Sequence, residues 1–369
     1  MRIGILRGFA LAALLLGPLA TGELWVRGQL DRLYPFLTRS ARWPDAKMML
    51  LERAGCPQVL ALGSSVTNRT LVAPLVKNEA LPFAWGEAPV ESVFAFGLNG
   101  ARMTHLYGAW RHVDAGGCTP AFVFIEVLPG VLNGRGVSRV LLRPFLDAAT
   151  AWNMPRGFAR EARLDALDVL EAATWGRLVL PRLRAPLLAA WIASWKASAP
   201  RAARLPLDGM IRPLSRQDLV GEKFAAQRAK RLRITERGEY RVRPSMVQVR
   251  ALRKLMEGAA AAGSRVILHS PPVTSIYREI VDQTNGHRVF CRLYEEVAAR
   301  DGVAWAWFYD GRGFAGRDFM NWNHLNSAGG KRYVRKLFRD VRRHALATSG
   351  WCAAHLASLG AEAPPAAVE

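Results

Sequence analysis

Five short, mainly apolar runs punctuate the chain, Val59–Leu62, Val93–Phe96, Phe122–Val127, Arg265–Leu268 and Val303–Trp307, and the first two stop directly at glycine. None alternates between apolar and polar positions, which is the pattern of strands buried on both faces. Helical periodicity fills the spaces between them at Met103–His112, Val247–Ala262, Val289–Arg300 and Ala328–Ala345. Strands alternating with helices predict an α/β domain built on a parallel sheet. Such sheets place their active sites outside the carboxyl ends of the strands. Ser65, Gly100 and the segment after Ile125 all fall on that edge.

The alternation lapses between about residues 140 and 246. The expected organisation is therefore a first half-domain at 46–139, a helical insertion at 140–246, a second half-domain at 247–346 and a tail at 347–369. Within the insertion, Trp191 and Trp195 lie among Arg182, Arg184 and Lys196. This cluster suits a helix lying on a membrane surface, or aromatics that pack the insertion onto the core.

The N-terminus begins with Arg2 and Arg7 and continues charge-free from Gly8 to Gly22. A basic start followed by an apolar segment is an export signal. A comfortable span needs ~20 apolar residues, which this run reaches only if counted from Ile3 with Arg7 snorkelling. The expectation is an uncleaved transmembrane anchor over 1–27, with Ala20-Thr21-Gly22 as a cleavage site in the alternative. The remainder would then be extracytoplasmic or periplasmic, tethered to the inner membrane.

Export gives meaning to the four cysteines, because disulfides persist outside the cytosol. Cys56 and Cys118 each lie just before a predicted strand, so neighbouring strands would bring them within bonding distance. That leaves Cys291 and Cys352 as the second pair. No C-x-x-C or paired-histidine spacing occurs, which argues against structural zinc. The 51 Lys and Arg outnumber the 30 Asp and Glu, a net charge of +21. The cations are spread through helical segments without a dense tract, which argues against nucleic acid and leaves anionic lipid or an acidic polymer as partners.

Leu60-Ala61-Leu62-Gly63-Ser64-Ser65 delivers a hydroxyl to the edge of the sheet, and His324-Leu325-Asn326 supplies an imidazole near the other end of the chain. Serine and histidine are the parts of an activated nucleophile. In order and placement these segments resemble the SGNH (GDSL-like) hydrolase superfamily. Gly63-Ser64-Ser65 matches its first block, with Ser65 at the nucleophile. Gly97 and Gly100 match its second block, with Gly100 in the oxyanion N–H role and Ala95 where that turn has asparagine. His324 matches the general base of the final D-x-x-H block, and His324-Leu325-Asn326 with Gly329 resembles the H-L-N-x-x-G form of membrane-tethered members.

Two positions depart from the family pattern. Asn321 stands where the aspartate is expected, so Asp318 or Asp310 would have to supply the charge, or Ser65 and His324 would work as a dyad. Val127-Leu128-Pro129-Gly130 replaces the block with the side-chain oxyanion donor, unless Asn99 or Asn133 substitutes. Arg69, early in the helix after Ser65, is a candidate for binding an anionic substrate, and His269 follows the fourth strand towards the same edge.

The resemblance implies a three-layer, flavodoxin-like (SGNH) parallel sheet and a serine acyltransferase or esterase that acts through a Ser65 acyl-enzyme. By analogy its substrate is an O-acylated cell-envelope polysaccharide or polymer, and its partner a membrane-bound acyltransferase. No metal or organic cofactor is implied. The alternative is a catalytically impaired SGNH-fold protein that binds envelope polymer or assists its assembly.

Overall fold

The computed structural model describes residues 44–71, 76, 90–135, 137–142, 145–146, 148–164, 219–236, 242–283, 286–298, 303–342 and 350–359. Five parallel strands form one sheet: β1 (Val59–Ser64), β2 (Val93–Leu98), β3 (Phe122–Glu126), β4 (Arg265–Ser270) and β5 (Val303–Trp307). Their order is β2-β1-β3-β4-β5, that of flavodoxin-like sheets, with the topological switch at β1 between β2 and β3. A crevice for ligand is expected above such a switch, and Ser65 follows β1 directly.

Side-chain alternation sorts the strands into two cores. Leu60, Leu62, Phe94, Phe96, Val123, Ile125, Val266, Leu268, Trp305 and Trp307 face one layer of helices. That layer comprises α1 (Pro44–Ala54), α3 (Met103–Ala115), α8 (Met246–Ala261), α9 (Ser275–Asp282) and α10 (Gly286–Ala298). Val59, Ala61, Val93, Phe124, Ile267 and Ala306 face the other layer, where α11 (Ser327–Arg342) contributes Tyr333, Val334, Leu337 and Phe338. Burial on both faces is why the strands read as unbroken apolar runs.

Strand and helix boundaries differ by a few residues from those predicted. β1, β2 and β4 each continue two residues further, to Ser64, Leu98 and Ser270. Ladder pairing between neighbours carries these small and polar residues into the sheet: Gly63 pairs with Gly97, and Ser270 with Trp307. Helices α1, α9 and α12 (Gly350–Leu359) were not anticipated.

The chain leaves the domain after β3 and returns before α8 through a clamped pair of segments. Gly134 N donates to Arg243 O (2.9 Å), Ser245 N donates to Leu132 O (3.0 Å), and the Asn133 carboxamide oxygen accepts from both Arg135 N and Arg243 N. Between these ends lie α4 (Arg139–Leu142), α5 (Ala148–Asn153), α6 (Phe158–Ala162) and α7 (Gly221–Glu236). The tryptophan-rich stretch with Trp191 and Trp195 lies outside the described residues, as does the segment 1–27 expected to be an anchor. Among the described residues no helix is long and apolar enough to cross a membrane.

Both expected disulfides are formed. Cys56–Cys118 links the approaches to the adjacent strands β1 and β3, and Cys291–Cys352 ties α12 to α10. Two disulfides fit an oxidising, extracytoplasmic location.

Candidate active site

Ser65 lies in the turn between β1 and the short helix α2 (Thr67–Thr70). A buried carboxylate shapes that turn. Glu126, at the end of β3 and fully buried, accepts from Ser64 N (2.9 Å), Ser64 Oγ (2.5 Å), Thr67 N (2.9 Å) and Thr67 Oγ1 (2.6 Å). Burial raises its carboxyl above the usual range, while these four hydrogen bonds oppose that rise. The approach is so close that a Cβ on Gly63 would sit 2.5 Å from Glu126 Oε2 and 1.9 Å from Thr67 Oγ1, so position 63 has room only for glycine. The neighbours of Ser65 thus give their polar groups to Glu126, and the Ser65 hydroxyl takes no part in that network.

His324 comes from the loop between the 3₁₀ turn Gly316–Asp318 and α11. Two contacts close this loop: Asn326 N donates to Asp318 O (2.9 Å), and Met320 N donates to His324 O (2.9 Å). Asn326 also caps α11, its carboxamide oxygen accepting from Gly329 N (2.9 Å) and its amide donating to Arg317 O (2.6 Å). A Cβ on Gly329 would lie 2.1 Å from Asp318 O. The H-L-N-x-x-G spacing therefore has a structural reason, since Leu325 is buried, Asn326 holds the loop and Gly329 lets it lie against the helix.

The imidazole bridges two side chains. Ser65 Oγ lies 2.7 Å from His324 Nε2, and Asn321 Oδ1 lies 3.0 Å from His324 Nδ1. The same Asn321 oxygen accepts from Asn323 N (3.2 Å) and His324 N (3.0 Å). Two backbone donors identify that atom as oxygen, so the Nδ1 facing it carries the proton and Nε2 presents a lone pair to the Ser65 hydroxyl. Burial is the main cause that pushes His324 down to about 3, and the Arg69 and Arg231 guanidinium groups push it further in the same direction. The base is therefore neutral, and able to take a proton, across the ordinary pH range.

Neither aspartate considered as a source of charge stands behind the imidazole. The buried Asp318 carboxylate accepts from Ala315 N (2.9 Å) and Arg332 Nη1 (3.1 Å). The Asp310 carboxylate accepts from Arg312 N (3.0 Å). Both are spent on their own loop, and Asn321 occupies the position in question. Gly100 takes the left-handed conformation (φ +76°) in the exposed turn after β2, with open space where a Cβ would be. The N–H groups of Ser65 and Gly100 donate to no group among the described residues. Asn99 is exposed in the same turn, whereas Asn133 is occupied at the base of the insertion. His269 is fully buried under α11, sharing a hydrogen bond with the Tyr333 hydroxyl (2.8 Å) and pushed down to about 3 by burial.

Sequence reasoning missed three further parts. Glu126 is a lone acid closing an apolar strand, and that was its only signal. Lys47 of α1 is fully buried, with Nζ donating to Asn68 Oδ1 (2.6 Å) and Ala95 O (2.7 Å). Asn68 in turn donates to Gly97 O (2.6 Å), so Lys47 and Asn68 hold the end of β2 against α2. Arg231, on α7 of the insertion, lies with its guanidinium carbon 4.6 Å from the centre of the Trp322 ring.

The arrangement supplies a nucleophile, an oriented neutral base and two N–H groups at the carboxyl edge of a switch-point sheet. Those are the components of acyl transfer through serine. No family model matches the chain, and no curated protein matches it.

Proposed function

We propose that this protein is an extracytoplasmic SGNH-like serine esterase or O-acyltransferase that handles an O-acyl group of a cell-envelope polymer. The observation that carries this reading is the Ser65–His324–Asn321 relay, at 2.7 and 3.0 Å. His324 Nε2 takes the Ser65 proton as Oγ attacks the acyl carbonyl. The Ser65 and Gly100 amides receive the negative charge of the tetrahedral oxygen. On collapse, the C–O bond of the ester breaks and the imidazolium returns its proton to the leaving alkoxide, leaving an acyl-Ser65 ester. A second hydroxyl, from water or from a polymer, then repeats the sequence in reverse. The two disulfides and the expected N-terminal anchor favour an envelope setting, with an acyltransferase in the membrane as the donor partner.

The test is reaction of the full-length protein with a fluorophosphonate and a small acetyl ester, beside Ser65→Ala and His324→Ala. Labelling and turnover that vanish in both variants support the reading. A folded wild type that does neither overturns it. A second reading, a catalytically impaired fold kept to bind or assemble envelope polymer, is favoured by one observation: the residue behind His324 carries no charge. Polymer binding without labelling would support it.

A further inference from the structure

Helix α7 is held to α9 by a two-pronged ion pair, Arg228 Nε to Glu279 Oε2 (3.0 Å) and Arg228 Nη2 to Glu279 Oε1 (2.7 Å). Three residues on, Arg231 reaches the catalytic loop. Its guanidinium lies on Trp322, whose ring is buried and packed 5.3 Å from that of Tyr277, and whose carbonyl accepts from the Thr274 hydroxyl. The support under Arg231 is therefore rigid. Its own hydrogen-bonding capacity is not used: Arg231 Nε is buried and has no acceptor, and no carboxylate pairs with the guanidinium among the described residues. A buried charged donor without an acceptor is costly, and an anion that reaches it lowers that cost. On the other side of the sequence, Arg69 follows Ser65 by one helical turn and lies with Nη1 2.8 Å from the sulfur of Met320, next to Asn321. Both cations push the His324 imidazole towards its neutral form.

We propose that Arg231 forms a subsite for an oxyanion beside the loop that carries His324, so that the ester substrate of the Ser65–His324 site carries a carboxylate group. This rests on the acyl-transfer reading above. The planar guanidinium presents paired donors that match a carboxylate, and the apolar Trp322 face keeps water from one side of it. An anion bound there also offsets the field of the two arginines on the imidazole, so that binding of the correct substrate strengthens the base. The net charge of +21 attracts polyanions in general. The subsite turns that attraction into selection at the reacting bond.

The experiment compares acetate release from O-acetylated polygalacturonate and from O-acetylated xylan, by the full-length wild type, Arg231→Gln and Lys230→Gln. Lys230 is exposed on the same helix, so its substitution removes the same charge outside the subsite. Wild type should favour the acidic polymer, and Arg231→Gln should lower kcat/KM for it by about ten- to a hundred-fold, as for loss of a charge-assisted hydrogen bond. Lys230→Gln should keep the preference. Equal turnover of both polymers, or equal losses in the two variants, would overturn the subsite and leave the serine chemistry standing. A parallel arm measures binding of trigalacturonate to Ser65→Ala with and without Arg231→Gln, which needs no turnover. Binding lost with Arg231 upholds the subsite even if neither polymer is cleaved, whereas no binding overturns it.

Discussion

Replacing Asn321 by aspartate puts a negative charge 3.0 Å from the protonated nitrogen of His324 without changing the size of the side chain. Two unit charges about 3 Å apart attract by about 5 kcal/mol at an effective dielectric near 20. The loop is partly exposed and two guanidinium groups compete for the new carboxylate, so about half of this should remain. At about 1.4 kcal/mol per pKa unit, His324 should rise by about two units, from about 3 towards about 5. The imidazolium formed in the transition state gains the same interaction, so the rate above pH 6 should rise by about thirty- to a hundred-fold. That is part of the ~10⁴ a serine triad loses when its aspartate becomes asparagine. The assay is the rate of fluorophosphonate labelling, and of acetyl-ester hydrolysis, between pH 4 and 9. In wild type the acid limb should lie below the accessible range. In Asn321→Asp it should appear near pH 5, with a higher plateau. A variant whose plateau and limb both match wild type would refute the placement of Asn321 behind the working imidazole.

Other outcomes follow from the buried charges and bridges. Glu126→Gln can keep its oxygen towards the Ser64 and Thr67 amides and its NH₂ towards the Ser64 hydroxyl, whereas Glu126→Ala leaves two backbone donors buried without acceptors. The alanine variant should therefore lose about 2–6 kcal/mol in denaturant unfolding, and the glutamine variant clearly less. Equal losses would place the role of Glu126 elsewhere. His105 and His269 are fully buried and held down to about 4 and about 3, so the folded protein binds fewer protons than the unfolded chain below about pH 6.5. Their contribution is present above that pH and is lost as pH falls, by about 2–3 kcal/mol per unit between about pH 6 and 4. Unfolding free energies unchanged from pH 7 to 5 would contradict this. Cys56 is exposed whereas Cys291 and Cys352 are buried, so mild dithiothreitol should open Cys56–Cys118 first, as read by alkylation and mass spectrometry. Simultaneous reduction of both bridges would argue against the compact packing of α12 on α10.

The strands were legible because a sheet covered on both faces leaves its signature in each strand separately: Leu60–Leu62 and Phe122–Ile125 are apolar whichever way they point. Ser65 was legible for a related reason, since glycine and polar residues directly after such a run mark the edge of the sheet, whereas His324 was picked out by the resemblance of His324-Leu325-Asn326 and Gly329 to the H-L-N-x-x-G form. Glu126 was not, because its role depends on β3 lying beside β1, a pairing that local pattern does not contain. Lys47 lies in a helix that the pattern did not predict, and only the fold shows that its ammonium ends between Asn68 and Ala95 O. Arg231 was hidden in an insertion that resembled nothing. Its meaning comes from Trp322, some ninety residues away in the chain.

Asn321 and Arg231 are best understood together. A carboxylate at position 321 would stand in the field of two guanidinium groups and would compete with any ligand for them. The carboxamide performs the orienting task, accepting from Nδ1 and two backbone amides, and leaves the positive field for a substrate to neutralise. In this arrangement the charge that an ordinary triad builds into the enzyme arrives with the substrate. The consequence is a coupling between the two positions. Asn321→Asp should help a neutral ester more than an acidic one, and it should weaken the preference for the acidic polymer by pairing with the arginines. Combined with Arg231→Gln, its effect on the acidic substrate should therefore be non-additive, by about 1 kcal/mol or more in a double-mutant cycle on kcat/KM. Strict additivity would mean that the two residues act independently, and that the missing charge behind His324 has nothing to do with the arginine beside it.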